Sequence, residues 1–281
     1  MNRKLYEDII IGIVLYNPDI NTLEKNIYNL KLITDDIIFI DNGSSNKNEI
    51  EKIIQNKYAI IFNNSNLGIA KALNQLLEEA IKKNKRYLLT LDQDSRMNRN
   101  IFDEMYKYRN IENVAIICPT IYDINKSKNK TIKMRYEYVS RCITSGSLMN
   151  ISICSKLNKF DEKMFIDYVD FDYCKNIMLS GYKIIQVREA LLPHEVGKRI
   201  KRRFIFWDVY PTNYNNTQRY YYFARNIKYY LLKYKGNLTI KEWIHDEIHL
   251  KWKFINVFLY ENNWKEKLKM YIQGLKDARK M

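Results

Sequence analysis

Through its first 120 residues the chain alternates short β-branched apolar runs with stretches of helical period, and the runs end in polar clusters. Ile9–Leu15 is the first run; Asp36–Ile40, Tyr58–Phe62, Tyr87–Leu91 and Val114–Cys118 follow as further strands. Between them lie helical stretches at Asp19–Leu32, Asn48–Gln55, Ile69–Lys83 and about Asn100 to Tyr108. The third is marked by Ala72, Leu73, Leu76, Leu77 and Ala80 on one face. Strands separated by helices make βαβ units, so an α/β fold with a mostly parallel central sheet flanked by helices is expected. Open sheets of this kind bind ligands beyond the carboxyl ends of their strands. That rule gathers Tyr16-Asn17, Asp41-Asn42-Gly43, Asn63–Gly68 and Asp92-Gln93-Asp94 at one edge as a candidate site.

Further along, Ile132–Val139 reads as a strand and Ile143–Asn150 contains Ser145-Gly146-Ser147. Asp170–Leu179 reads as a helix stopped by Ser180-Gly181, and Lys183–Val187 as a strand. Residues 215–233 and 240–273 look helical, with Trp and Tyr throughout. A boundary near residue 200 separates a body of residues 1–200 from a C-terminal helical extension, 201–281. The charge changes there too. Residues 198–281 hold 19 Lys/Arg and 7 Asp/Glu, whereas residues 1–197 hold 28 and 25. A basic, aromatic-rich extension attracts anions: nucleic acid, phosphorylated substrates or an anionic membrane face. No apolar run approaches the roughly 20 residues of a spanning helix, and the N-terminus carries no signal-peptide pattern.

The residues that can do chemistry are few. Only eight glycines occur, none spaced as G-x-G-x-x-G or a Walker loop, which disfavours dinucleotide oxidoreductases and P-loop kinases. A bound nucleotide would have to be gripped by side chains and a metal. Asp92 and Asp94 follow a buried strand, where one turn can aim two carboxylates at a hard divalent cation; a solvated turn is the plain alternative. Asp167, Asp170 and Asp172 sit among Phe165, Ile166, Tyr168, Val169, Phe171 and Tyr173. Apolar surroundings raise a carboxylate's pKa and suit it to act as a base, whereas Asp170 could equally cap the helix that follows. His194 comes after a strand and just before Lys198-Arg199. His245 and His249 are four apart but lack the H-E-x-x-H pattern, and read as a solvated helix face. Cys118, Cys142, Cys154 and Cys174 form no C-x-x-C pair and read as reduced core thiols.

With these motifs placed, the chain resembles the inverting family 2 nucleotide-sugar glycosyltransferases of GT-A fold, and within them the bacterial polysaccharide rhamnosyltransferases. The resemblance is carried, in order, by Val14-Leu15-Tyr16-Asn17-Pro18, Ile40-Asp41-Asn42-Gly43-Ser44, and Asn66-Leu67-Gly68-Ile69-Ala70 with Asn74. It continues through Leu89–Ser95, Thr144–Leu148, Phe165–Asp170, His194-Glu195-Val196-Gly197 and Arg219–Asn226, and spans about residues 8 to 226. Asn158 and Lys175-Asn176 depart from the family pattern, where Gly and a nearby Arg are common.

The resemblance implies roles. Tyr16, Asn17, Asp41, Asn66, Gly68, Asp92 and Gln93 would bind the nucleotide-sugar. Asp94, with Asp92 and His194, would hold Mg²⁺ or Mn²⁺, and Asp170 would be the general base. Ser145, Gly146, Asp167, Arg219 and Arg225 become acceptor or phosphate candidates. The implied reaction moves a sugar, L-rhamnose from dTDP-rhamnose, or a hexose from a UDP donor, onto a glycan or polyprenyl-diphosphate-linked acceptor. The basic run Lys198–Arg203 with Phe204, Phe206 and Trp207 would suit an anionic membrane, placing the protein in the cytoplasm, peripheral on the inner face of the membrane. The competing class, a nucleic-acid-binding protein, accounts for the charge but leaves the strand-end carboxylates without a task.

Overall fold

The computed structural model describes residues 5–54, 57–123, 134–194, 202–204, 207–209 and 216–281. The chain divides into two compact units: Met1–Glu162 with Val169–Glu195, and Lys163–Tyr168 with Val196–Met281.

In the first unit the elements run β1 (Ile9–Leu15), α1 (Ile20–Leu30), β2 (Ile37–Asp41), α2 (Lys47–Ile54), β3 (Ala59–Phe62), α3 (Ile69–Lys82), β4 (Tyr87–Asp92) and α4 (Arg99–Tyr106). Then follow β5 (Val114–Asp123), β6 (Tyr136–Tyr138), β7 (Ser147–Asn150), α5 (Ile151–Cys154), α6 (Val169–Leu179) and β8 (Lys183–His194). The sheet order is β3-β2-β1-β4-β7-β5-β8-β6. β1 pairs in parallel with β2 and β4, β2 with β3, and β5 with β8, whereas β7 and β6 run antiparallel to their neighbours. The expected mostly parallel sheet is therefore present. Every residue of β1 is buried, as both faces of a parallel sheet covered by helices require. The helices carry the complementary stripe: Leu76, Leu77 and Ala80 of α3 are buried, as are Leu23, Ile27 and Leu30 of α1.

Two strands outrun their apolar pattern. β5 and β8 stay paired as far as Asp123 and His194, through a register shift after Pro119. Pairing with a neighbour carries the backbone on past Pro119 and the polar Arg188-Glu189, where a sequence pattern stops. The strand expected at Ile132–Val139 is the shorter β6; residues 132 and 133 lie outside the described residues. β7 is a strand that hydrophobic pattern alone does not announce, four residues long and held between β4 and β5.

The second unit contains the hairpin β9 (Arg202–Phe204) and β10 (Trp207–Val209), then α7 (Gln218–Lys233), α8 (Ile240–Tyr260) and α9 (Trp264–Asp277). α8 opens with a capping box between Thr239 and Glu242. The single helical stretch expected over 240–273 is instead two helices. Glu261 is fully buried and accepts hydrogen bonds from the Tyr220 hydroxyl, Lys253 Nζ (3.3 Å) and Lys267 Nζ (2.9 Å). Asn263 then takes a left-handed φ of 56° to start α9. Burial lowers the pKa of Lys253 and outweighs the attraction of Glu261, which raises it. No helix among the described residues is long and apolar enough to cross a membrane.

Candidate active site

Four parallel strands, β1 to β4, deliver their carboxyl ends to one edge. Asp41 closes β2 and is 1% exposed. Its Oδ2 accepts the Ser44 N–H (3.2 Å), whereas its Oδ1 is buried and has no hydrogen-bond partner. The turn beyond it needs glycine: Gly43 has φ of 83°, and a Cβ there would lie 2.6 Å from the Ser65 carbonyl carbon. Asn42 joins this turn to the next loop. Its Nδ2 donates to Asn66 Oδ1 (3.0 Å) and the Gly68 carbonyl (3.2 Å), and its Oδ1 accepts from Asn63 Nδ2 and the Leu67 N–H (each 3.1 Å). Asn66 Oδ1 also accepts the Gly68 N–H (3.0 Å), and Gly68 is the N-cap of α3.

Tyr16 and Asn17 follow β1. Asn17, at a left-handed φ of 48°, accepts on its Oδ1 from the Ser45 N–H (2.7 Å) and hydroxyl (2.8 Å). Its own N–H donates to Ser44 Oγ (2.8 Å). The Gln93 amide clamps Tyr16: Oε1 accepts the Tyr16 N–H (2.8 Å) and Nε2 donates to its carbonyl (3.3 Å). Gln93 thus positions the β1 loop with both ends of its amide, while the Tyr16 ring stays half in solvent. Asn26, buried on α1, donates to the Gln93 carbonyl (3.0 Å). A polar residue at a core position of an apolar helix stripe was the signal for it.

Asp92 ends β4, half-buried, and Asp94 is exposed in the turn that follows. Behind this turn sits Ser145, whose Oγ accepts the Asp92 N–H (3.2 Å) and pairs with the Ser95 hydroxyl. Gly146 fastens the same loop to β4 through its N–H and the Thr90 carbonyl (2.8 Å). The other end of the loop borders the first turn of α6. The Arg141 guanidinium lies 5.2 Å from the Phe171 ring centre, and the Cys142 and Cys174 sulfurs are 3.7 Å apart. A cavity of about 250 Å³ opens here, with Arg141, Cys142, Ser145 and Phe171 in its wall. So one loop, 141–147, touches the Asp92 turn on one side and the start of α6, which carries Asp170, on the other. Asp170 is half-buried, and its Oδ1 accepts the Phe171 N–H (2.9 Å). Hydrogen bonding with Cys118 and burial push the Cys142 thiol up; Cys174 is raised chiefly by its bond to Cys142. All four cysteines are free.

Other sequence-selected residues stand elsewhere. Asn74, 1% exposed, binds Phe160 N–H and carbonyl and Glu162 Oε1, fixing α3 to the 160–162 segment. Asp167, Arg219 and Arg225 belong to the second unit. Arg219 forks onto Asp167 at 3.0 and 3.3 Å, and Arg225 donates to the Lys163 carbonyl (2.6 Å). Asn226, fully buried, donates to the carbonyls of Ile166 (2.6 Å) and Asp167 (2.9 Å), and the Tyr168 hydroxyl donates to the buried Asp246 (2.9 Å). These bonds hold Asp167 and Tyr168, both at a left-handed φ of 67°, just upstream of Asp170. Sequence reasoning gave Asn226 no site role; its place at the end of the Arg219–Asn226 motif was the only signal. His194 ends β8 opposite Asp123, described by its backbone. Glu195-Val196-Gly197 and Lys198–Lys201 lie outside the described residues, as do residues 205–206.

Among the described residues no group of three His, Cys, Asp or Glu side chains is placed to hold a metal ion. Asp92 and Asp94 still fit Mg²⁺ or Mn²⁺, hard cations that commonly take one or two carboxylates and complete their shell with water and substrate phosphates.

A mostly parallel sheet that brings a buried acid at the end of its second strand and the Asp92-Gln93-Asp94 turn at the end of its fourth to one edge defines an open α/β class whose ligands bind at the carboxyl ends of the strands. The chain belongs to Glycosyl transferase family 2, whose pattern matches residues 10–174, more than half of its length. It is 26% identical over 270 residues to the dTDP-rhamnosyl transferase RfbF of Shigella flexneri, covering 89% of this chain and 88% of that one. Among solved structures it is similar to GalNAc-T7 with UDP, GalNAc and Mn²⁺ (TM-score 0.61, 13% identity), covering 97% of this chain and 56% of that one. It is also similar to Staphylococcus aureus TarS 1-349 in complex with UDP-GlcNAc (TM-score 0.57, 13% identity, 96% and 80% covered). These likenesses show a GT-A glycosyltransferase fold.

Proposed function

We propose that the protein transfers L-rhamnose from dTDP-rhamnose, with inversion, to a glycan or polyprenyl-diphosphate-linked acceptor in the synthesis of a bacterial surface polysaccharide. The observation that carries the reading is Asp41 Oδ1, a buried acceptor without a partner at the ligand edge of the sheet. A thymine or uracil ring offers the imide N–H that such an oxygen lacks. Leaving a buried acceptor unsatisfied costs about 1–3 kcal/mol, which a pyrimidine nucleotide would recover. The similarity to a dTDP-rhamnosyl transferase over most of both chains supports the sugar.

In this reading Asn17 and Asn42 hold the loops that frame the nucleoside, and Asp92 and Asp94 hold a divalent cation, with His194 a further ligand. When bound, that cation stabilises the charge on the departing nucleoside diphosphate. Asp170 takes the proton of the acceptor hydroxyl as the oxygen attacks the anomeric carbon. It stands in the first turn of α6. Ser145 and Gly146 keep the 141–147 loop between the two acidic groups, and Asp167, Arg219 and Arg225 brace the segment before Asp170. The acceptor sits on the cytoplasmic side of the membrane.

A UDP-hexose donor is the second reading. Asp41 does not distinguish uracil from thymine, and UDP accompanies two of the similar structures. Assaying nucleotide-sugar hydrolysis across a panel with Mg²⁺ or Mn²⁺ decides between them. Turnover of dTDP-rhamnose ahead of UDP-hexoses is expected. The reverse order transfers the assignment to the second reading, and inertness toward every donor ends both.

A further inference from the structure

α8 buries Asp246, Leu250, Lys253, Asn256 and Val257 on one side and leaves the opposite side uncovered. At 100° per residue, the outward arc, about 100° wide, holds Ile240, Ile244, Ile248, Ile255, Phe258 and Leu259. Ile240 is 79% exposed and Ile248 59%, far more than isolated surface apolar residues need be. The polar members of the arc are Lys241 and Lys251. The three acids of α8 lie outside it: Glu242 closes the capping box, Asp246 is buried, and Glu247 accepts from Lys228 Nζ (2.9 Å). At the end of the helix Phe258 meets Trp264 edge to face (ring centres 5.0 Å), with Lys265 over the indole. The strip is thus apolar, aromatic at one end, and charged with one sign only.

We propose that this face of α8 lies flat in the headgroup region of an anionic lipid bilayer, apolar side chains toward the acyl chains and Lys241 and Lys251 on lipid phosphates. A helix whose outward face is apolar, with lysines as the only charges on that face, can lie so, and lysine stems can lie along apolar surface while their ammonium groups reach outward. A second copy of the chain is a poorer occupant. Twenty-one residues at 1.5 Å make a strip of about 31 by 10 Å, well under the roughly 800 Å² per partner of a stable interface, and two such faces would set lysine against lysine. The inference goes beyond sugar transfer and does not depend on the donor.

The test uses the full chain with vesicles of phosphatidylcholine, alone or equimolar with phosphatidylglycerol. Sedimentation with the mixed vesicles is expected to exceed that with the neutral ones and to fall with salt. The exposed double substitution Ile248→Glu with Ile255→Glu should lower that binding about tenfold or more, with the thermal midpoint and nucleotide-sugar hydrolysis unchanged. Binding by the double variant equal to wild type overturns the proposal, as does a wild type that ignores phosphatidylglycerol. So does a wild-type dimer that the same substitutions split. Absent hydrolysis by the wild type would count against the donor reading alone, since vesicle binding is read separately.

Discussion

Asp41 shows how one atom can report a ligand. Its Oδ2 is committed to the Ser44 N–H, so Oδ1 is left buried and unpaired. In Asp41→Asn the carbonyl oxygen must stay toward Ser44, which turns the NH₂ group to the orphan position and sets donor against donor. The expected result is a donor KM raised about 10- to 100-fold with kcat little changed. An unaltered KM would remove Asp41 from base recognition. Asp170→Asn keeps the shape of the α6 first turn and removes the proposed proton acceptor. Transfer should fall about 10²- to 10⁴-fold while nucleotide binding, measured by calorimetry, persists. Wild-type turnover in that variant would take Asp170 out of the base role. The place of Asp41 at the sheet edge was legible from strand-end polarity, whereas the role proposed for Asp170 came from family resemblance. That one oxygen of Asp41 is orphaned was not, because it depends on Gly43 folding the turn beneath Ser65.

At the scale of elements, the 141–147 loop is the piece that most of the site shares. Gly146 allows it: φ is 83°, and an added Cβ would meet a Leu192 methyl at 2.7 Å and the Pro119 ring at 2.9 Å. Gly146→Ala should destabilise the protein by about 1–3 kcal/mol, seen as a lower denaturant midpoint, and should cut transfer as the loop leaves Asp92. A midpoint within error of wild type would mean the loop adapts. The β7 strand beside it escaped pattern reading because four residues carry no period; its neighbours β4 and β5 impose the extended backbone. The break between α8 and α9 escaped for a related reason. Residues 240–273 keep helical character, and the interruption comes from Glu261 being drawn to Lys253, Lys267 and Tyr220.

For the whole molecule, one alkaline transition is expected from the aromatic cluster under the sheet. Tyr6 packs on Tyr106 (4.5 Å) and Phe102 (5.1 Å), and the Tyr106 hydroxyl donates to both oxygens of Asp8 (2.8 and 3.0 Å). Burial first, then this bond to a carboxylate, pushes the Tyr106 phenol up to about 12 from 10.0. The protonated form is favoured by the fold, so its stabilisation is full below pH 10 and is lost as pH rises toward about 12. Tyr106→Phe should flatten that part of the stability–pH curve, measured by denaturant midpoints on both sides of the window. An identical slope in the variant would assign the transition to other tyrosines. The charge of +15 belongs to this scale too, concentrated in the C-terminal third where α8 turns Lys241 and Lys251 outward.

Local chemistry was enough to set the alternation of strand and helix, the sheet edge carrying Asp41, Asp92 and Asp94, and the basic character of the C-terminal helices. These follow from periodicity, strand-end polarity and side-chain type, which neighbouring residues establish among themselves. Only the tertiary structure could strand an oxygen of Asp41, lodge β7 between two strands, gather Lys163–Tyr168 into the second unit, and leave one face of α8 bare. Each of those is decided by what a distant part of the chain covers or fails to cover, and burial of that kind is not written in any short stretch of sequence.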